Sequence, residues 1–381
     1  MKVCVVGTGG REHALRHVLA RTSEVVEEDA DLYVIGPEAP LVEGLADRLR
    51  AEGKLVFGPG ADGARLEGSK AWMKEVLAAA GVPTARHGVF REVEPAVEFL
   101  KSLPGLYVVK TDGLAAGKGV LVTESLADAA EDVRAKLSGS AFGPAGRTVV
   151  IEEGLSGGEL SVLAVCDGSR AAVLPTARDF KRAADGDTGP NTGGMGAYSP
   201  VPDAAGLAFD DVIDRTLGEL RRRGIEYRGV LYAGLMLTPE GVKVLEYNVR
   251  FGDPEAQVVL PRYAGDLAAL LAEAAAGELR SQPKCVDDAC VCVVLAAQGY
   301  PVSPRTGDVI AGVEDARQVE GALVFEAGVA RHGEGPLVTA GGRVLDVCAV
   351  GPGVDEARRR AYEAVSRISF AGMQYRTDIA A

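Results

Sequence analysis

Polar and apolar residues alternate through Val244-Leu245-Glu246-Tyr247-Asn248-Val249-Arg250-Phe251-Gly252-Asp253-Pro254-Glu255. Residues two apart in a strand point the same way, so Glu246, Asn248 and Arg250 share one face. A carboxylate oxygen beside an amide oxygen suits a hard cation such as Mg²⁺, which takes few protein ligands and completes its octahedron with waters and substrate phosphates. We therefore predict Glu246 and Asn248 as metal ligands, with Arg250 facing the same anion. For these residues alone, a half-buried strand with a hydrated polar face is the simpler interpretation.

This strand is one half of a predicted β-hairpin. Val230 to Leu237 is an apolar run, and Thr238-Pro239-Glu240-Gly241 supplies a turn into Val242 to Val249. The pairing of the two runs places Glu246 and Asn248 on a sheet.

The N-terminal segment predicts a small α/β domain. A strand from Lys2 to Val6 leads through a glycine-rich turn into a helix from His13 to Ala20, and further strands are predicted at 31–35 and 54–57. A glycine-rich turn that enters a helix is an anion site, because free backbone amides and the helix dipole point at the ligand. The turn departs from the dinucleotide pattern G-x-G-x-x-G, since Glu12 occupies its last position.

A second glycine-rich loop, Asp112-Gly113-Leu114-Ala115-Ala116-Gly117-Lys118-Gly119, lies between predicted strands at Tyr107 to Lys110 and Val120 to Thr123. Such a loop with a lysine can close over phosphates as a lid. It is not a P-loop, which needs Gly-Lys-Ser/Thr at the start of a helix. A mobile hairpin is an equally good interpretation of this segment alone, because glycine-rich turns are common hairpin connections.

The segment from Arg178 to Pro200 is predicted to be a long loop without regular structure. Loops of this length are uncommon in a compact domain unless they bind something. Its glycines, amides, hydroxyls and charges favour a substrate loop. A disordered linker is the alternative, which the potential anchors Met195 and Tyr198 make less favourable.

Composition excludes several classes of function. With 381 residues, about two to four domains are expected, and a C-terminal α+β unit is predicted from Cys290 onward. The formal net charge of −13 argues against nonspecific binding to nucleic acid or an anionic membrane. No apolar run approaches membrane-spanning length, and the first residues resemble a strand, so we expect a cytoplasmic protein.

The six cysteines lack paired spacing and are predicted to be reduced, buried thiols.

In their order along the chain, these segments resemble the glycinamide ribonucleotide synthetase family, ATP-grasp enzymes of purine biosynthesis. The matching runs are Gly9 to Leu15, Gly36 to Leu41, Leu66 to Lys70, Asp112 to Gly119, Asp187 to Pro200, Arg250 to Glu255, Gly299 to Pro301 and Arg305 to Ile310. The match covers essentially the whole chain, and the run from Asp187 to Pro200 is specific to this ligase family.

The resemblance implies an α/β and α+β multidomain protein with an ATP-grasp fold. The expected units are an N-terminal α/β domain on the phosphoribosylamine side (1–66), an ATP-grasp domain (67–285) with a lid subdomain at about 82–152, and a small C-terminal α+β domain (286–381).

The resemblance also implies an activity. In this family the glycine carboxylate attacks the γ-phosphate of ATP to give glycyl phosphate, and the amine of 5-phospho-D-ribosylamine then displaces phosphate. The expected products are glycinamide ribonucleotide, ADP and phosphate, with Mg²⁺ or Mn²⁺ bridging the ATP phosphates. Both steps develop charge on oxygens, so catalysis depends on positioning and preorganised cations. The expected partners are these small molecules, not nucleic acid or membrane, and the expected state is a monomer or weak homo-oligomer.

By the same resemblance, each motif receives a role. Glu246 and Asn248 are expected to hold the metal, and Arg250, Asp187 and Lys118 to be catalytic. The ATP-binding candidates are Lys70, Lys110, Gly117, Lys118, Gly119, Glu152, Glu153, Leu155 and Glu159. The candidates for binding glycine, the acyl phosphate or phosphoribosylamine are Gly9, Gly10, Arg11, Glu12, Pro37, Glu38, Asn191, Thr192, Gly193, Gly194 and Arg250.

Two segments depart from the family pattern. Between His17 and Asp31 the chain is short, where members usually carry a strand-loop-helix unit near the phosphoribosylamine. Phe180 stands where histidine is common, so any polar role of that position is lost. The departures leave two alternatives: a nucleotide-binding regulator without synthetase activity, and an ATP-grasp ligase with another amine acceptor.

Overall fold

The computed structural model describes residues 1–114, 119–139, 147–204, 207, 209–331, 333 and 335–381. It is a mixed α/β protein with both parallel and antiparallel sheets. The predicted lid residues Gly117 and Lys118 lie outside the described residues. Within the described ranges, no helix has both the length and the apolar character needed to cross a membrane.

The N-terminal segment contains short strands and helices that alternate along the chain. They are β1 (Lys2–Val6), α1 (Gly10–Leu19), β2 (Glu24–Val25), β3 (Leu32–Ile35), α2 (Glu38–Val42), α3 (Leu45–Ala51), β4 (Leu55–Phe57) and α4 (Ala61–Gly68). The strands form a parallel sheet in the order β2-β1-β3-β4. The shortened connection between His17 and Asp31 therefore still contains a strand, β2, which pairs with β1.

Helix α5 and the segment predicted to be the lid, which keeps that name below, come next. Their elements are α5 (Lys70–Ala80), β5 (His87–Phe90), α6 (Val93–Lys101), β6 (Tyr107–Thr111), β7 (Val120–Thr123), α7 (Leu126–Leu137) and β8 (Val149–Glu153). Ser69 caps α5 by accepting the Trp72 N–H, and Gly81 ends the helix in a left-handed conformation. The lid sheet is antiparallel, in the order β5-β8-β6-β7, which confirms the strands predicted on both sides of the glycine-rich loop.

The middle of the chain contains the strand predicted to hold the metal. Its elements are β9 (Gly158–Asp167), β10 (Ala171–Val173), β11 (Arg178–Asp179), β12 (Arg182–Ala184), β13 (Thr188–Asn191), β14 (Gly196–Ser199), α8 (Asp210–Arg222), β15 (Arg228–Thr238), β16 (Gly241–Asn248), α9 (Ala256–Val259) and α10 (Leu267–Ala276). An antiparallel central sheet has the order β10-β9-β15-β16. The predicted hairpin is confirmed as the β15–β16 pair.

The C-terminal segment completes the fold with β17 (Ala289–Ala296), α11 (Val313–Ala316), β18 (Ala322–Glu326), β19 (Val329–Arg331), β20 (Leu337–Thr339), β21 (Arg343–Gly351) and α12 (Val354–Val365). Its main sheet has the order β11-β14-β17-β21-β18. Strands β11 and β14 come from the segment predicted to be an irregular loop. That prediction was wrong: the segment contains two strands of this sheet and the β12–β13 hairpin. Tertiary pairing determines these short strands, which carry no apolar repeat of their own.

The lid packs around its own hydrophobic cluster, which includes Leu100, Val109, Val133 and Ile151. The remaining domains share two larger clusters, each drawing residues from the N-terminal, central and C-terminal sheets. All six cysteines are free, and all but Cys285 are buried. The prediction of buried thiols is therefore confirmed for five of the six, and Cys285 is half-buried.

Candidate active site

A cleft of about 860 Å³ is lined by residues of the lid, the central sheet, the N-terminal domain and the segment that follows β11. Most residues selected from the sequence line it: Arg11, Glu38, Lys70, Lys110, Gly119, Glu152, Glu153, Leu155, Glu159, Asp187, Asn191, Thr192, Gly193, Glu246, Asn248 and Arg250. The residues from the prediction that lie outside this lining are Gly9, Gly10, Glu12, Pro37 and Gly194. One cavity thus collects the predicted metal, nucleotide and substrate residues.

Glu246 and Asn248 both face the cleft from β16. The neighbouring strand places Gly234 opposite Glu246, and a Cβ on Gly234 would lie 3.3 Å from Glu246 Cγ. Glycine therefore leaves room beside the carboxylate. In the described ranges, no cluster of three or more Asp, Glu, His or Cys side chains could hold a metal ion. The carboxylate and amide oxygens nevertheless fit a hard cation that takes most of its ligands from substrate and water.

Arg250 lies at the centre of a buried charge network. Its Nη2 is 2.9 Å from Glu67 Oε1 and donates to Asn248 Oδ1 at 3.2 Å, and its Nε is 3.3 Å from Glu38 Oε2. Burial alone would lower the pKa of Arg250, but Glu67 and Glu38 raise it above its usual value. Arg250 is therefore a fixed cation next to the predicted metal ligands. Burial raises the pKa of Glu67, which also accepts the Val249 N–H.

Two lysines share one buried carboxylate, Glu152, a predicted ATP-binding residue at the end of β8. Lys74 Nζ is 2.7 Å from Glu152 Oε2, and Lys110 Nζ is 2.8 Å from Glu152 Oε1. Burial would raise the pKa of Glu152, but Lys110 and Lys74 lower it below its usual value. Burial lowers the pKa of Lys74 to about 8. Lys74 was not predicted from the sequence, although its spacing from Lys70 is a signal. It lies one helical turn after Lys70, so the two lysines share a face of α5.

Lys70 connects helix α5 to the glycine-rich loop. Its Nζ donates to the Gly113 carbonyl at 2.9 Å, and Ser69 Oγ donates to Asp112 Oδ2 at 3.3 Å. Burial lowers the pKa of Lys70. Lys70 and Lys110 thus bring ammonium groups to the cleft from α5 and from the lid sheet.

A further lysine, Lys181, lies between two carboxylates in the cleft. Its Nζ is 2.5 Å from Glu159 Oε2 and 3.0 Å from Asp179 Oδ1. Burial raises the pKa of Asp179 to about 7, while Lys181 opposes that shift. The predicted ATP-binding residue Glu159 is therefore ion-paired. Sequence reasoning does not single out Lys181, although it follows Phe180 directly.

The predicted substrate loop lines the cleft with both ends of the β12–β13 hairpin. Asn191, Thr192 and Gly193 lie on this lining. Asp187, at the other end, has a φ of 52° and accepts a hydrogen bond from Arg376 Nη1 at 2.6 Å. The carboxylate predicted to be catalytic is therefore already paired with an arginine of the C-terminal segment.

In the N-terminal turn, Arg11 lines the cleft but Glu12 does not. Arg11 Nε is 2.7 Å from Glu12 Oε1, and Arg11 Nη1 donates to the Phe251 carbonyl at 3.2 Å. The other Glu12 oxygen accepts the Gly9 N–H at 2.7 Å. Glu12 therefore fixes the turn and the arginine, and Arg11 supplies the charge.

Other ionisable residues line the cleft that the sequence analysis does not select: Glu67, Asp179, Lys181, Tyr232, Asp253, Glu255 and Arg343. Asp253 and Glu255 belong to the alternating segment quoted first, but they lie beyond the end of β16, where the two-residue period no longer applies. Arg343 comes from β21, distant along the chain, and no local pattern marks it.

Three models of phosphoribosylglycinamide synthetase match the chain: the N domain at residues 23–67, the ATP-grasp (A) domain at 68–256 and the C domain at 290–381. The chain belongs to the phosphoribosylglycinamide synthetase family. Its fold is the ATP-grasp fold of this family, as the sequence predicts.

Individual relatives extend the match to the full chain. The phosphoribosylamine–glycine ligase of Streptomyces coelicolor is 47% identical over 422 aligned positions, covering 100% of this chain and 99% of the relative. The crystal structure of the Thermotoga maritima phosphoribosylamine–glycine ligase superposes with a TM-score of 0.88 at 37% identity, covering 100% of both chains. The biotin carboxylase domain of Hydrogenobacter thermophilus 2-oxoglutarate carboxylase, solved with MgADP and bicarbonate, has a TM-score of 0.72 at 16% identity, covering 98% of this chain and 91% of that one. This last similarity shows a shared fold only.

Proposed function

We propose that the protein ligates glycine to 5-phospho-D-ribosylamine with ATP, giving glycinamide ribonucleotide, ADP and phosphate in purine biosynthesis. The observation that carries the proposal is the single cleft, in which the Glu246–Asn248 pair, the lysines Lys70 and Lys110 and the Asn191–Gly193 segment face one cavity. Relatives that match the whole chain bear the name of this ligase. In the first step a glycine carboxylate oxygen bonds to the γ-phosphorus and ADP leaves. In the second the amine bonds to the acyl carbon, phosphate leaves and the amine releases a proton.

The nucleotide lies on the lid side of the cleft. Glu152, Glu153 and Leu155 at the end of β8 bind adenine, and Glu159 faces the ribose. Lys70 and Lys110 offset the negative charge of the phosphates, which reduces repulsion when a carboxylate approaches the γ-phosphate. The family resemblance assigns Gly117, Lys118 and Gly119 to the ATP phosphates and gives Lys118 a catalytic role; Gly117 and Lys118 lie outside the described residues.

Glu246 and Asn248 would hold a divalent cation, Mg²⁺ or Mn²⁺, which would supply Lewis-acid stabilisation of phosphate oxygens. Arg250 is held 3.2 Å from the Asn248 amide oxygen and stays charged because of Glu67 and Glu38. Its fixed guanidinium binds the glycine carboxylate and then the acyl phosphate. Asn191, Thr192, Gly193 and Asp187, which line the same cleft, contribute to this subsite, and Gly194 supports it from outside the lining.

The acceptor lies at the N-terminal turn. Arg11, oriented by Glu12, binds the phosphate of phosphoribosylamine beside the turn of Gly9 and Gly10, in which the Gly9 N–H already donates to Glu12. Pro37 and Glu38 contact the ribose from the neighbouring strand end. The shortened segment between His17 and Asp31 keeps β2 and so preserves the edge of the sheet that supports this turn.

Each domain has one of these roles. Residues 1–66 bind the acceptor, and residues 67–285, with a lid subdomain at about 82–152, bind ATP. Residues 286–381 form the C-terminal α+β domain. The enzyme acts in the cytoplasm on small molecules, as a monomer or weak homo-oligomer, without binding nucleic acid or membrane. The net charge of −13 supports the last point.

The deciding experiment measures phosphate release by the purified protein with ATP and Mg²⁺. Glycine and phosphoribosylamine, generated in situ, are each supplied or omitted. Release that needs both, with glycinamide ribonucleotide formed, supports the proposal. Release that needs glycine but not phosphoribosylamine indicates another acceptor, and nucleotide binding without turnover indicates a regulator.

A further inference from the structure

The segment between β11 and β14 is shared between the cleft and the C-terminal sheet. Strands β11 and β14 belong to that sheet, with Gly196 to Ser199 paired along β17. Between them, residues 182–194 form the β12–β13 hairpin and the turn that follows it, and several of these residues line the cleft. We call residues 182–194 the cleft hairpin. Both of its ends are attached to the sheet of the C-terminal segment.

Side chains of the C-terminal segment also hold the backbone of the cleft hairpin at Gly193. The Gly193 N–H donates to Tyr300 Oη at 3.0 Å, and the Gly193 carbonyl accepts from Arg343 Nη1 at 2.8 Å. Arg343 is itself fixed by the Asp253 carbonyl at 2.8 Å and by the Asp253 carboxylate at 3.0 Å. The ring of Tyr300 packs on Gly342, where a Cβ would overlap it. Both peptide groups of Gly193 are thus fixed next to the cleft.

A second set of contacts holds the tip of the cleft hairpin. Arg376, which is 1% exposed, donates to Asp187 Oδ1 at 2.6 Å. Its guanidinium carbon lies 5.0 Å from the centre of the Phe180 ring, a cation–π contact. The Gly186 N–H donates to Asp378 Oδ2 at 2.8 Å. The position at which family members commonly have histidine is therefore a packing surface for Arg376.

We propose that Tyr300 and Arg376 are positioning residues, through which the C-terminal domain holds the cleft hairpin in the conformation that binds glycine. The inference rests on the proposed function. An isolated hairpin with a left-handed residue at Asp187 and glycines at 186, 189, 193 and 194 has a large backbone entropy to lose on binding. The contacts with Tyr300 and Arg376 remove that freedom before the ligand arrives, which strengthens binding without any contact to the ligand.

The direct test is Tyr300→Phe, which removes the hydroxyl that accepts the Gly193 N–H and keeps the ring on Gly342. We expect the KM for glycine to rise about five- to twentyfold, in line with the loss of one hydrogen bond. The KM for ATP should stay within twofold of the wild-type value, because ATP binds on the lid side. Tyr375→Phe is the matched control: the ring is 38% exposed, and both KM values should be unchanged.

Arg376→Met and Arg376→Lys test the second set of contacts. Lysine keeps a cation beside Asp187. The glycine KM of Arg376→Lys should therefore lie between the values of the wild-type protein and of Arg376→Met. Thermal unfolding is measured for every variant, and if Arg376→Met does not fold, Tyr300→Phe decides. An unchanged glycine KM in Tyr300→Phe, or an equal rise in the KM for glycine and for ATP, overturns the inference. A wild-type protein that shows no glycine-dependent ADP formation instead overturns the proposed function.

Discussion

Lys74 and Glu152 form an ion pair of 2.7 Å whose side chains are 1% and 2% exposed. The pair connects helix α5 to the lid strand β8, and Lys74 Nζ also donates to Thr84 Oγ1 at 2.7 Å. Thr84 in turn donates to the Val244 carbonyl of β16 at 2.6 Å. One ammonium group therefore couples the lid to the strand that carries Glu246.

Lys74→Met should lower the free energy of unfolding by about 3 kcal/mol, because removing one partner leaves a buried carboxylate with less compensation. Urea unfolding measures the change. Lys101→Met is the control, since Lys101 and Glu98 form an ion pair with 53% and 71% exposed side chains, and such pairs contribute about 0.5 kcal/mol. Equal effects of the two substitutions would show that the Lys74 pair is not important for stability.

Glu246→Gln should lower kcat by about 100-fold and raise the Mg²⁺ concentration needed for half-maximal activity, since the amide is a poorer ligand for a hard cation. The fold should be retained, because the side chain faces the cleft. ADP formation is measured across a Mg²⁺ titration. Glu240→Gln, on the β15–β16 turn with a 70% exposed side chain, is the control. Wild-type activity at limiting Mg²⁺ would remove Glu246 from the metal site.

Local pattern was sufficient for the strand that carries the predicted metal ligands. The two-residue period of Glu246 and Asn248 was visible in the sequence, and the structure places both side chains in the cleft. The bounds of β1 and β7 also match their predicted ranges. Apolar periodicity and glycine-containing turns each extend over only a few residues. They can therefore be recognised in the sequence without knowledge of tertiary contacts.

The surroundings of the cleft hairpin could not be predicted in this way. Its strands contain glycine, proline and charged residues, and they form because they are attached to a distant sheet. Arg376 and Asp187 are 189 residues apart in sequence. No periodicity relates such residues, and only the folded chain shows that the C-terminal segment fixes a loop of the cleft.

Arg11→Ala should raise the KM for phosphoribosylamine about 10- to 100-fold, because a charge-assisted contact to phosphate is lost. The KM values for ATP and glycine should change little. Steady-state kinetics with each substrate varied in turn measures the difference. Arg48→Ala is the control, since its exposed guanidinium donates to the nearby Glu43 carbonyl and lies outside the cleft. A uniform rise in all KM values would place the phosphate elsewhere and leave Arg11 a structural role.

Asp346 makes stability depend on pH. It is 1% exposed, accepts from Gln257 Nε2 at 2.8 Å, and burial together with Asp253 raises its pKa from 3.8 to about 7. A folded pKa above the unfolded value means that its stabilisation is complete below about pH 4 and is lost as the pH rises toward 7. In the wild-type protein, Asp346 should make the free energy of unfolding fall between pH 4.5 and 7, by up to about 1.4 kcal/mol per pH unit. Asp346→Asn should remove this part of the slope. Urea unfolding at a series of pH values, with exposed Asp355→Asn as control, measures the slopes. Identical slopes in Asp346→Asn and the wild-type protein would show that Asp346 is ionised throughout this range.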